Sequence, residues 1–152
     1  MNDKNFTNLR QRYAALFGVE PSKDGAIADL ESSLGITLPD DVKAISQFYS
    51  GGIVGGISHN AFDGSGRAAN IVKETLRLRA AIELPNRFIV LAEPSESLIV
   101  RDVESGVVTW CDHSDVPRLE DRSQMLGQPN VWTSYAEFFE FLLDEEDEER
   151  GA

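Results

Sequence analysis

An α+β domain, with a mostly antiparallel sheet packed by N-terminal helices, a central helix and a C-terminal helix, is the architecture the sequence predicts. Three observations carry it. Residues 4–49 repeat apolar side chains at helical spacing, residues 87–112 hold three short runs rich in branched and aromatic residues, and residues 134–142 return to a helical period.

The first helix is read over residues 4–17, where Phe6, Leu9, Tyr13, Leu16 and Phe17 form one apolar face that Gly18 closes. Pro21 turns the chain. A second helix is expected from Asp24 as N-cap, with Ile27, Leu30 and Leu34 on one face and a stop at Gly35. In "LPDDVKAISQFYSGG", Pro39 suits a first helical turn, and Asp40 and Asp41 face the positive end of the helix dipole. Val42, Ile45, Phe48 and Tyr49 supply the buried stripe, and Gly51 and Gly52 end it.

Residues 53–69 mix short apolar pieces with glycines, which predicts one strand followed by a loop. Ile71, Thr75, Leu78 and Ile82 then define a central helix ended by "ELPN". "RFIVLA", "SLIVRDV" and "GVVTWCD" read as strands, the last two as a hairpin across Glu104, Ser105 and Gly106. Residues 113–131 have little periodicity and read as a loop with one short turn. Ser134 and Glu137 make a capping box for a final helix carrying Tyr135, Phe138, Phe139 and Leu142.

That helix runs into six acids, Asp144 to Glu149, at the end where the helix dipole disfavours anions and i,i+4 neighbours repel. The expected organisation is therefore one domain over residues 1–143 and a frayed acidic tail over 144–152, either a solubilising end or an arm for a basic partner. No repeat or composition break divides the chain further.

The chain of 152 residues has 26 acids against 14 bases, a net charge of −12. That field repels nucleic-acid phosphates and anionic membranes and favours basic partners, although acidity also serves solubility alone. A lone cysteine, Cys111, leaves no internal disulfide; the first residues lack a signal-peptide pattern, and no apolar run approaches the roughly 20 residues of a membrane span. A cytoplasmic protein is expected.

The candidate chemistries fail on order or number. A phosphate loop needs strand, glycine loop and then helix, whereas here a helix runs into Gly51, Gly52, Gly55 and Gly56 and points its negative end at them. "CDHSD" would place Cys111, His113 and Asp115 on one face of a strand, but His59 is the only other histidine and no second cysteine completes a zinc site. "FDGSGR" at 62–67 lacks the alternating ligands of a calcium loop. No GxSxG elbow supports a hydrolase built on His59 or on Cys111 and His113. No catalytic, metal or cofactor residue is assigned.

The ordered set "LESSLGITLPDDVKAISQFYSGG", "NIVKETLRLRAAIELPNRFIVLAEP", "SLIVRDVESGVVTWCD" and "WTSYAEFFEFLL" resembles the SUKH superfamily of Smi/Knr type over residues 24–143. The resemblance implies an α+β interaction module without a catalytic motif. Many bacterial members neutralise a cognate toxin, often a nuclease, as immunity proteins; fungal relatives act in cell-wall regulation. The family pattern falls here on Leu38, Pro39, Gly51, Gly52, Thr75, Arg77 and Trp110, read as architectural. Val42 replaces a frequent aromatic, and "EPSES" at 93–97 stands where relatives often carry a Gly- and Asp-rich turn.

The function expected is thus a non-enzymatic immunity protein whose acidic surface docks on a basic toxin domain. The alternative is a regulatory interaction scaffold of the same fold without a toxin partner. Glu93, Glu96, Asp112, Asp115, Glu120 and Asp121 are the acids expected to meet the partner. The sequence assigns no oligomeric state.

Overall fold

A computed structural model describes residues 3–64 and 69–151, so part of "FDGSGR" lies outside the described residues. Among the described residues the helices are α1 (Asp3–Phe17), α2 (Ala26–Leu34), α3 (Asp40–Ser46), α4 (Ile71–Ile82) and α5 (Tyr135–Gly151). The strands are β1 (Gly52–Val54), β2 (Ile57–His59), β3 (Phe88–Ala92), β4 (Ser97–Asp102), β5 (Val108–Asp112) and β6 (Asn130–Trp132). They form one antiparallel sheet in the order β1-β2-β3-β4-β5-β6. The predicted fold class stands.

Central strands β3 and β4 are buried along their whole length, which is why their sequences are almost continuously apolar. Each face has its own cluster. Ile89, Ile99 and Val108 join Leu9, Tyr13, Ile45, Phe48, Tyr49, Phe138 and Phe139 from α1, the α3 segment and α5. Phe88, Val90, Leu98, Val100 and Cys111 meet Leu78 of α4 together with Val116 and Leu119. In the larger cluster Tyr13, Phe48, Tyr49 and Phe139 lie with ring centroids 5.0–6.0 Å apart. Truncating Phe139 to alanine would cost about 3–5 kcal/mol.

Local chemistry explains the elements and the departures from expectation. The N-cap of α2 is Gly25, not Asp24. α3 stops at Ser46, so Phe48 and Tyr49 are buried from the turn that follows it. Asn70 caps α4 by accepting from the Lys73 amide, and Thr75 Oγ1 accepts from Val90 N–H where β2 is too short to cover β3. Residues 52–59 form a β1–β2 hairpin rather than a single strand, and 113–131 holds two 3-10 turns (His113–Arg118, Arg122–Gln124) and the start of β6. At α5 the Ser134 hydroxyl accepts from Glu137 N–H, while the Glu137 carboxylate reaches back to the Thr133 amide and hydroxyl.

The acidic end departs most from expectation. Instead of fraying at 144, α5 stays helical to Gly151. Arg12 of α1 donates to Asp144 (2.9 Å) and Asp147 (2.7 Å), and Arg150 bonds Glu146 (2.6 Å) and lies over the Phe17 ring. Glu146, almost fully buried, accepts from Gly55 N–H at 2.9 Å. The hairpin turn comes this close because Gly55, at φ +60°, has no side chain: a Cβ would lie 2.7 Å from the Leu142 carbonyl. These contacts with α1 and the β1–β2 hairpin offset the repulsion that argued for fraying.

Candidate interaction surface

β4 and β5 run antiparallel, with Ser97 opposite Asp112 at one end and Arg101 opposite Val108 near the other. Six residues of strand separate those ends by roughly 17 Å. The expected contact acids divide between them.

At the first end the β3–β4 turn carries Glu93 and Glu96. Ser97 N–H closes the turn on Pro94 C=O (3.0 Å), and the Glu96 carbonyl accepts from His113 N–H (3.0 Å). This holds Glu96 at φ +60°, a left-handed conformation that costs a non-glycine residue about 1 kcal/mol. Glu93 is largely neutralised: Arg77 Nη2 donates to it at 2.5 Å and His113 Nε2 lies 3.4 Å away. Arg77, expected to be architectural, thus bridges Glu74 and Glu93. Asp112 is exposed beside the turn.

Asp115 is not a surface acid. Its side chain is buried, and its two oxygens accept from Leu126 N–H and Gly127 N–H, both at 2.8 Å. Those two amides, with Arg118 nearby, hold its carboxyl below the usual range. Asp115 begins no strand face with Cys111, because the chain turns into a 3-10 helix at His113. Its work is to fold residues 125–127 back over the end of β5.

That folding exposes a residue that no sequence pattern marks. Leu126 is 80% exposed. Gly127 beside it packs against Asp112, whose Oδ2 lies 3.0 Å from where a Cβ on Gly127 would be. Leu126, Asp112 and Glu96 are thereby brought to one end of the sheet. Val131 on the edge strand β6 is a further exposed apolar residue, 42% accessible. A lone leucine in "SQMLGQPN" has no period to mark it.

Glu120 and Asp121 lie at the other end, lining a groove with Arg87, Asp102 and Ser105. Asp121 is occupied as a cap, accepting from the Ser123 amide and hydroxyl. Asp102 pairs with Arg87 at 2.6 Å and accepts from the Glu104 and Ser105 amides, interactions that hold its carboxyl low despite burial.

The residues weighed for catalysis are placed for packing. Burial, aided by Asp115 and Asp112, pushes the Cys111 thiol up to about 11, the opposite of an activated nucleophile. His59 is buried: Nδ1 lies 2.7 Å from the Asn60 carbonyl and Nε2 2.9 Å from the Tyr135 hydroxyl, so Nδ1–H donates to the former and Nε2 accepts from the latter. Burial lowers its pKa to about 4, only partly offset by the Asn60 bond. Among the described residues no group of three or more His, Cys, Asp or Glu is placed to hold a metal ion, and no helix is long and apolar enough to cross a membrane.

Comparison with known families finds a match to the SUKH_5 profile, described as SMI1-KNR4 cell-wall, over residues 4–125. No curated protein matches the chain. The matched span covers the helices α1–α4, strands β1–β5 and the acids from Glu93 to Asp121, while Leu126 and α5 lie beyond it. With most of its length matched, the chain belongs to the SMI1-KNR4 family of the SUKH superfamily.

Proposed function

We propose that the protein is a non-enzymatic, cytoplasmic immunity protein that binds and neutralises a basic toxin domain through the end of its sheet. The observation that carries this reading is Leu126, 80% exposed, next to Gly127 at the Asp112 carboxylate and at the same end of the sheet as Glu96. An exposed apolar side chain that fills a pocket on a partner supplies affinity, and carboxylates around it select a basic rim. The net charge of −12 accelerates encounter with a cationic domain and makes the rate fall with salt. Of the six acids expected from sequence, Glu96 and Asp112 remain as the contact pair, Glu93 contributes through its bridge to Arg77, and Glu120 and Asp121 form a separate edge.

Co-expression tests it. When a basic toxin domain from a neighbouring gene is the cognate partner, its co-production with this protein leaves cells alive and a complex is recovered at low salt. Leu126→Asp removes both effects. Equal killing with and without the protein overturns the reading.

The family description, which names the cell wall, favours a second reading: a regulatory scaffold that binds a cellular protein and has no toxin partner. It predicts recovery of a complex from cells that carry no toxin gene, through the same Leu126 surface.

A further inference from the structure

An open cleft of about 630 Å³ lies between the α1/α3 side and the β4–β5 hairpin, at the end of β4 remote from Leu126; Arg101, Asp40, Asp41, Glu104, Gly106 and Ser134 are among its lining residues. Arg101 is only 2% exposed, a charge set into the fully buried central strand β4. Its Nε and Nη1 are buried without a hydrogen-bond partner. A buried guanidinium left in this way is strongly unfavourable unless an acceptor reaches it.

The neighbouring carboxylates are already engaged. Asp41 accepts from its own helix at Val42 N–H (2.8 Å) and from Ala136 N–H at the start of α5 (3.2 Å). Asp102 accepts from Arg87 and from the Glu104 and Ser105 amides. Both act on Arg101 only at longer range, raising a pKa that burial lowers. Gly106 of the hairpin stands beside the arginine: a Cβ there would lie in ordinary contact with Nη2, at 3.5 Å.

We propose that this cleft is a carboxylate-binding site with Arg101 as its anchor. A guanidinium presents paired N–H donors in a plane that matches the two oxygens of a carboxylate. Asp40, Asp41 and Glu104 on the walls make a dianion such as phosphate unfavourable and limit the ligand to one negative charge. The carboxylate comes either from a free small acid or from an Asp or Glu side chain of a protein partner. The site is independent of the Leu126 surface, so either can fail alone.

The test follows the Arg101 Nε–H resonance of the full chain by arginine-selective NMR at pH 7, with sodium acetate titrated against sodium chloride at equal ionic strength. A saturable shift with acetate alone is expected, with a dissociation constant on the order of 1–10 mM. Arg101→Lys, read on the Gly106 amide, should weaken acetate at least tenfold. Glu104→Gln, a change at an exposed side chain, should tighten it two- to threefold and serves alone if the Arg101 variant does not fold. N-acetylglutamate amide binding more tightly than acetate assigns the site to a protein-borne carboxylate; the reverse order assigns it to a free acid. No saturable shift with either probe, or the same shift with chloride, overturns the proposal.

Discussion

The acids at the end of α5 and the acids at the end of the sheet have the same chemistry and opposite situations. Asp144, Glu146 and Asp147 are tied to Arg12, Arg150 and the Gly55 amide, so the densest run of charge in the chain serves to dock a helix. Glu96 and Asp112 lie outside that run and are exposed at the end of the sheet that carries Leu126. Charge density along a chain therefore does not locate the charges free to meet a partner; the position of the cations does.

Acid titration carries the largest effect, through buried His59 together with Glu146 of the docked acids. His59 binds a proton near 6.5 when unfolded and near 4 when folded. Between those values the unfolded chain holds more protons, so stability falls as pH falls, by about 1.4 kcal/mol per unit and roughly 3 kcal/mol by pH 4. Glu146, held low by Arg150 and the Gly55 amide, contributes stability above the ordinary carboxylate range that is lost as pH drops through its folded value. Urea midpoints from pH 7 to 4 should follow this slope, and His59→Gln should flatten it above pH 4.5.

Glu146→Ala is expected to cost about 2 kcal/mol, since it leaves the Gly55 amide and Arg150 without their acceptor, and to release the last turns of α5 to faster amide exchange. Arg12→Ala should cost less, about 0.5–1 kcal/mol, because Asp144 and Asp147 are solvent-exposed partners. Glu96→Gly should act in the other direction, stabilising by about 0.5–1 kcal/mol through relief of the left-handed backbone while weakening partner binding. Asp112→Ala should leave the unfolding midpoint within about 0.5 kcal/mol of wild type. Equal destabilisation by Asp112→Ala and Glu146→Ala would erase the distinction.

The fold was largely legible, because its helices carry long apolar periods and its central strands are continuous runs. The short strands were not: β1, β2 and β6 have three residues each, and the first two are embedded among glycines that give no alternation. The site was less legible still. Asp115 and Asp112 differ by three positions and look alike in sequence, yet one is a buried bond acceptor for two amides and the other a surface charge. The tail was misread because its stabilising cation, Arg12, is 132 positions from Asp144, beyond the reach of any local repulsion rule. Arg101 was visible only as one charge inside "SLIVRDV", with no local sign that it would lack a partner.

One pair of double variants tests the central claim, with binding to the basic partner and unfolding measured on the same samples. Glu96→Lys with Asp112→Lys should abolish the complex and leave the unfolding midpoint nearly unchanged, whereas Asp144→Lys with Asp147→Lys should lower the midpoint and leave an intact complex. Loss of the complex in the second pair with retention in the first would contradict the account.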